Sequence, residues 1–70
     1  MERQKVKSSN IESIGYDREK LLLEVEFKGG SLYQYKDVGP AVYLELMDSD
    51  SKGQHFSAKI RKFFKGEKVK

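Results

Sequence analysis

At 70 residues and a net charge of +3, the chain is long enough for one small domain and too short for two. It contains no cysteine, which excludes disulfide bonds, cysteine-based zinc sites and thiol nucleophiles. No apolar run approaches the roughly 20 residues of a membrane span, and Met1 to Lys5 leads into no apolar signal-peptide stretch. These features predict a soluble cytoplasmic protein with no membrane, cofactor or metal partner.

The first half of the chain has the pattern of antiparallel strands. Apolar residues between Asn10 and Tyr16 flank Gly15, which predicts a strand with a bulge or a bend, and residues 17–20 predict a turn. Over residues 21–27 every second side chain is apolar, and two of the three side chains between them are charged, which is the periodicity of a half-buried strand.

The Gly29-Gly30 pair predicts a hairpin turn, after which residues 31–36 return as a third strand. A two-residue turn places Tyr33 and Tyr35 on the exposed face, whereas a three-residue turn over 28–30 places Val25 opposite Tyr33 and both rings on the apolar face. We favour the three-residue turn because so small a domain needs the buried area of both rings.

Two helices follow the strands. Pro40 is well placed as the first residue of a helix that runs to about Asp48. Ser51, with Gln54 three residues later, predicts a capping box and a second helix through about Phe64, before Gly66. The predicted core-facing residues are Val42, Tyr43, Leu46 and Met47 on the first helix and Phe56, Ile60, Phe63 and Phe64 on the second.

The predicted fold is therefore an α+β domain in which a three-stranded antiparallel meander is followed by two helices packed on one face (β-β-β-α-α). Its expected extent is residues 8–64, with flexible basic tails over residues 1–7 and 65–70.

Positive charge gathers at the C-terminal end of the chain. From Lys59 onward only Glu67 opposes six basic residues, namely Lys59, Arg61, Lys62, Lys65, Lys68 and Lys70. Such a cluster is a candidate footprint for a polyanion, and the alternative is a solvated helix face and tail. For Arg61 a structural ion pair with Asp17 or Glu24 is equally open.

The start of the second helix is a candidate anion site. Ser51 offers a hydroxyl, Lys52 adds charge, Gly53 leaves backbone N–H groups accessible, and the helix dipole favours phosphate or carboxylate at this end. The alternative is ordinary capping with a glycine kept for close packing.

Reaction chemistry has few candidates in this chain. His55, the only histidine, is expected to be a surface or capping residue, and Asp48 and Asp50 lack the spacing of a calcium loop. We therefore expect no enzyme activity and no metal site.

Several short motifs occur in a fixed order along the chain. They are Ser13-Ile14-Gly15-Tyr16-Asp17, Leu23-Glu24-Val25-Glu26-Phe27, Gly30, Tyr33-x-Tyr35, Val38, Tyr43 and Ser51-x-Gly53-x-x-Phe56-x-x-x-Ile60-Arg61. The ordered set strongly resembles the KTSC domain, which is named for its occurrence at the C-terminus of some lysyl-tRNA synthetases and also occurs as a small stand-alone bacterial or phage protein. One departure is Gly39, which stands between Val38 and Pro40 where the family usually has proline directly after the valine.

The resemblance implies the fold more than an activity, and it suggests RNA binding from the synthetase context and the Tyr33-x-Tyr35 pair. We expect a non-enzymatic module that binds RNA or a phosphate-bearing nucleotide. Phosphates would meet the C-terminal basic residues and the Ser51 to Gly53 helix start, and a tyrosine edge would stack a base. The alternative is a module that dimerises or docks on a protein through a strand edge or through Tyr16, Tyr43 and Phe64.

Overall fold

The computed structural model describes residues 1–70. Strands in which apolar and polar residues alternate form the centre of its β-sheet. The elements in chain order are β1 (Arg3–Lys5), β2 (Ile11–Asp17), β3 (Leu22–Phe27), β4 (Leu32–Tyr35), α1 (Pro40–Asp48), α2 (Lys52–Lys59) and β5 (Gly66–Lys68). The strands lie side by side in sequence order, and every neighbouring pair is antiparallel. The α+β class is confirmed, but the sheet has five strands and the prediction of three is wrong.

The two additional strands are the edges of the sheet, and they lie in the segments expected to be flexible tails. Gln4 in β1 pairs with Ile14, and Gly66 in β5 pairs with Tyr35. Each strand has only three residues and all of them are exposed, so neither carries an apolar alternation that a sequence could reveal. Both are recruited by the unpaired N–H and C=O groups at the edges of the central meander.

The hairpin between β3 and β4 has the predicted three-residue turn. Val25 lies opposite Tyr33 and Leu23 opposite Tyr35, while Gly29 and Gly30 have φ angles of 104° and 100° that side-chain-bearing residues rarely adopt. Both tyrosines therefore lie on the apolar face of the sheet.

The bulge expected near Gly15 lies elsewhere. The register of β2 shifts between Ile11 and Ser13, whereas Gly15 is regularly paired and lies under the Arg3 side chain. A Cβ atom at Gly15 would lie 2.9 Å from Cγ of Arg3, so the glycine lets this arginine cross the sheet surface. The following turn extends to Leu21, whose φ of 52° delays the start of β3 by one residue from the predicted position.

The core lies between the sheet and the two helices. Its nine buried residues are Ile11, Ile14, Leu23, Val25 and Tyr35 from the sheet, Val38 from the loop before α1, Leu46 from α1, Phe56 from α2, and Ile60 just after it. The helix α1 has the predicted bounds, with Pro40 in its first turn, and its other predicted core-facing residues, Val42, Tyr43 and Met47, are half-buried against the core. Neither helix is long and apolar enough to cross a membrane.

The second helix differs most from expectation. It ends at Lys59 rather than near Phe64, and Ser51 precedes it without the predicted side-chain capping bond. Beyond Ile60 the chain turns toward the β4 edge, so Phe63 is 73% exposed instead of facing the core. Gly66 does not end a helix but begins β5, where its missing side chain leaves room for the ring of Tyr35.

Candidate functional site

A wide cleft separates the loop before β2 from the start of α2, and we call it the polar cleft. Its volume is about 1150 Å³. Only one of its lining residues is hydrophobic, and the full set is Lys7, Ser8, Ser9, Asn10, Ser49, Asp50, Ser51, Lys52, Gly53, Gln54, Ser57, Ala58 and Lys62. Three lysines oppose one aspartate there, so the cleft carries net positive charge and many hydrogen-bonding groups.

The start of α2 forms one wall of the polar cleft. The first helical backbone bond runs from the N–H of His55 to the carbonyl of Ser51, and Ser51 makes no side-chain capping bond. The backbone N–H groups of Lys52, Gly53 and Gln54 consequently donate to no other backbone group and receive no cap from Ser51. Donors and a helix dipole thus meet at this wall, as an anion site requires.

Gly53 also has a packing role. A Cβ atom at this position would lie 2.5 Å from Oδ1 of Asn10 and 3.3 Å from Oγ of Ser8, so a larger residue here would require these two side chains to move. Ser8 fixes the opposite wall by donating to Asn10 Oδ1 at 3.0 Å and by accepting the N–H of Ile11 at 3.3 Å. Close packing and an exposed helix start therefore coexist at Gly53.

The predicted basic residues divide among different surfaces. Lys62 lines the polar cleft with Ser51, Lys52 and Gly53, whereas Lys65 lines a second cleft on the β4 side. Lys59 and Arg61 are exposed and line neither cleft. The only salt bridges in the protein are those of Arg3, so the structural ion pair considered for Arg61 with Asp17 or Glu24 is not formed.

The tyrosine pair is part of the packed interior. Tyr35 is 5% exposed, and its ring meets Phe56 edge-on at 5.3 Å between centroids. Burial raises the pKa of Tyr35, and nearby Arg61 offsets this only in part. Tyr33 is half-buried and packs edge-on against Phe27 at 5.6 Å. Tyr35 therefore has no free ring face for a base, and the stacking role suggested for it does not hold.

The aromatics considered for a protein interface are also engaged within the fold. The rings of Tyr16 and Tyr43 stack at 4.5 Å, and the Tyr16 hydroxyl donates to the Val38 carbonyl at 2.5 Å. Phe64 is half-buried against the core.

Phe63 is the one aromatic ring left outside these contacts. It lines the second cleft, here called the Phe63 cleft, which has a volume of about 500 Å³ and is formed with Gln34, Lys36, Asp37, Phe64, Lys65, Gly66 and Glu67. Its backbone is anchored, because the N–H of Phe63 donates to the carbonyl of the fully buried Ile60 at 3.1 Å.

An ion-pair network covers the sheet face opposite the helices. Arg3 donates to Glu24 at 2.6 Å and to Ser13 at 3.1 Å, and Gln34 donates to the other Glu24 oxygen at 2.9 Å. Burial alone would raise the pKa of Glu24, but the hydrogen bonds from Gln34 and Arg3 outweigh it and hold this pKa below its ordinary value. The network ties β1 to β3 across β2, which is a structural role.

No three histidine, aspartate or glutamate side chains converge as a metal site. His55 is half-buried rather than a surface residue, and its Nε2 atom is buried without a hydrogen-bond partner.

Comparison with known proteins identifies the family. The KTSC domain model matches residues 7–64, most of the chain. The chain belongs to the KTSC domain family. The crystal structure of a KTSC domain protein from Yersinia pestis superposes on this KTSC domain with a TM-score of 0.92, at 38% identity over 99% of this chain and 97% of that one.

Two relatives show the settings in which similar sequences occur. An uncharacterised protein of Stutzerimonas stutzeri strain A1501 is 47% identical over 57 residues, which are 81% of this chain and 80% of the relative. A lysine–tRNA ligase of Nostoc punctiforme is 38% identical over 65 residues, which are 93% of this chain but only 12% of the ligase. The similarity to the ligase is thus confined to a small part of it.

Two groups of cleft-lining residues in this KTSC domain could not be predicted from the sequence. The first is the wall formed by Lys7, Ser8, Ser9 and Asn10, for which the only signal was a polar run before the first strand. The second is Phe63, whose helical spacing from Phe56 pointed to the core because nothing local marked the end of α2 at Lys59.

Proposed function

We propose that this KTSC domain is a non-enzymatic binding module for single-stranded RNA. The polar cleft carries the proposal, since it combines three lysines, one aspartate and the unsatisfied N–H groups at the start of α2. A phosphate group fits this chemistry because it accepts hydrogen bonds from N–H donors and is attracted by lysines and by the helix dipole.

The surface beyond the cleft extends this positive region. Lys59 and Arg61 lie outside the polar cleft, and they are exposed and form no salt bridge, so their charges are available to a phosphate backbone. The flexible backbone of single-stranded RNA can adapt to charged groups that are spread over a surface, whereas a duplex is rigid. The relative named a lysine–tRNA ligase also favours RNA as the ligand.

The test is the anisotropy of a labelled single-stranded RNA titrated with the protein, with duplex DNA as comparator, at several salt concentrations. We expect RNA binding that weakens steeply with salt, because binding releases counterions from the phosphates. The pair Lys7→Ala and Lys62→Ala removes two charges from the polar cleft and should lower the slope of log K against log salt by about 1.4, at about 0.7 per contact on a single strand.

Arg18→Ala with Lys20→Ala is the matched control, since both residues are exposed, lie in the β2–β3 turn and line neither cleft. This variant loses the same net charge and should change the slope little. Equal effects of the two pairs would mean that binding follows net charge alone, and no RNA binding at low salt would refute the proposal.

The alternative is a protein-interaction or self-associating module with no role in nucleic-acid binding. It has less support, because both edge strands are short and charged, a combination that disfavours strand addition, and because Tyr16 and Tyr43 stack on each other. An oligomeric mass in solution that does not respond to salt, together with no RNA binding, would favour this alternative.

A further inference from the structure

Phe63 stands apart from every other aromatic residue of the chain. The other seven rings are buried or half-buried, and six of them make ring-to-ring contacts. Phe63 makes no such contact and is 73% exposed, the highest value among the large exposed hydrophobic residues. A single exposed apolar side chain is common in proteins, so its surroundings decide what it means.

Those surroundings combine an open cleft with two lysines and two acidic residues. The Phe63 cleft, of about 500 Å³, lies within the size range of small-molecule sites and contains Lys36 and Lys65 beside the ring. Asp37 and Glu67 balance these charges inside the cleft, so the cleft itself suits a neutral group better than a phosphate. A nucleobase is such a group, and its amino and ring nitrogens can pair with carboxylate and ammonium groups.

The turn that carries Phe63 also connects the two clefts. Lys62 lines the polar cleft and Phe63, the next residue, lines the other one. Adjacent Cα atoms are about 3.8 Å apart, so the two side chains start from neighbouring points of one turn, and one single strand can place a phosphate at Lys62 and a base at Phe63. The hydrogen bond from the Phe63 N–H to the Ile60 carbonyl holds the backbone that carries the ring.

We propose that Phe63, and not the tyrosine pair, is the residue on which this domain stacks an unpaired RNA base. This inference rests on the proposed RNA-binding function and assigns the base-contacting position within it. The aromatic platform lies on the turn after α2, and the sheet face bearing Tyr33 and Tyr35 remains part of the core.

The experiment uses the absence of tryptophan from the chain. Phe63→Trp places a single tryptophan at the proposed site, and Leu44→Trp places one at a similarly open position on α1, where Leu44 is 62% exposed and lines neither cleft. On titration with single-stranded RNA we expect the emission of the Phe63→Trp protein to be quenched and that of the Leu44→Trp protein to stay unchanged. In parallel, Phe63→Ala should weaken RNA binding about 5- to 150-fold, the range of one base–aromatic stack, whereas Leu44→Ala should not.

An abasic oligonucleotide of the same length separates stacking from charge. It keeps the phosphates and lacks the bases, so wild type and Phe63→Ala should bind it equally. Normal RNA binding by Phe63→Ala, without quenching in Phe63→Trp, would overturn this inference and leave the RNA-binding proposal standing. Failure of the wild-type protein to bind RNA would overturn both, and the two failures are therefore distinguishable.

Discussion

Replacing Arg3 with methionine tests whether the network on the outer sheet face holds the N-terminal strand in place. The substitution keeps an apolar stem and removes the guanidinium, which donates to Glu24 at 2.6 Å and to Ser13 at 3.1 Å. The Glu24 side chain is only 8% exposed and would keep Gln34 as its remaining side-chain donor, whereas the Arg3 side chain is 32% exposed.

The expected loss lies between two limits. Breaking a fully buried pair costs about 3–5 kcal/mol, and an exposed pair contributes about 0–1 kcal/mol. Because one partner is buried and the other is partly solvated, we expect the free energy of unfolding to fall by about 2 kcal/mol. A domain of this length has about 4–10 kcal/mol in total, and such a loss lowers Tm by roughly 10 °C.

The pH dependence of this loss of stability shows whether the ionised Glu24 carboxylate is its cause. The folded-state pKa of Glu24 is lowered, so its contribution is complete above the ordinary pKa of 4.5 and disappears as the pH falls through the folded-state value. Thermal unfolding followed by circular dichroism should thus separate wild type from Arg3→Met widely at pH 7 and less at an acidic pH well below 4.5. Lys5→Met is the control, because it removes the same charge from the same strand and Lys5 has no ion pair. A loss that is equal at both pH values, or equal for Lys5→Met, would refute the reasoning.

Three further predictions follow from burial. Phe56→Ala should lower the free energy of unfolding by about 3–5 kcal/mol and leave the domain close to unfolding, whereas Phe63→Ala should change it by less than about 0.5 kcal/mol. Urea denaturation of both variants checks this difference. Gly66→Ala places a Cβ atom against the ring of Tyr35 and should lower the free energy of unfolding by about 1–3 kcal/mol. Gly39→Ala is the control, because the added atom meets nothing within 4 Å, and equal melting temperatures of the two variants would contradict this packing. Burial raises the pKa of Tyr35 above the ordinary 10.0, so this tyrosine should ionise only above pH 10. The difference in tyrosinate absorbance between wild type and Tyr35→Phe should therefore appear above pH 10, and the free energy of unfolding of the wild type should fall as the pH rises through that range.

The family resemblance and the centre of the fold could be predicted from the sequence, and the candidate site only in part. The sequence points to Ser51, Lys52 and Gly53 because helix starts have local markers, and to Lys62 because it belongs to a basic run. It does not point to their partners Ser8 and Asn10, since a polar loop has no periodicity and its position depends on where β1 and β2 lie.

The sequence by itself determined the features that neighbouring residues encode. The alternation in β3, the glycine turn that puts Tyr33 opposite Val25, and Pro40 at the start of α1 each depend on backbone preferences and side-chain spacing over a few positions. The tertiary structure alone decided the pairing of Gly66 with Tyr35, which brings the C-terminal segment to the sheet as an edge strand. To reach that edge the chain leaves its helical path after Lys59 and turns Phe63 outward, a consequence of contacts between residues distant in sequence that no local pattern contains.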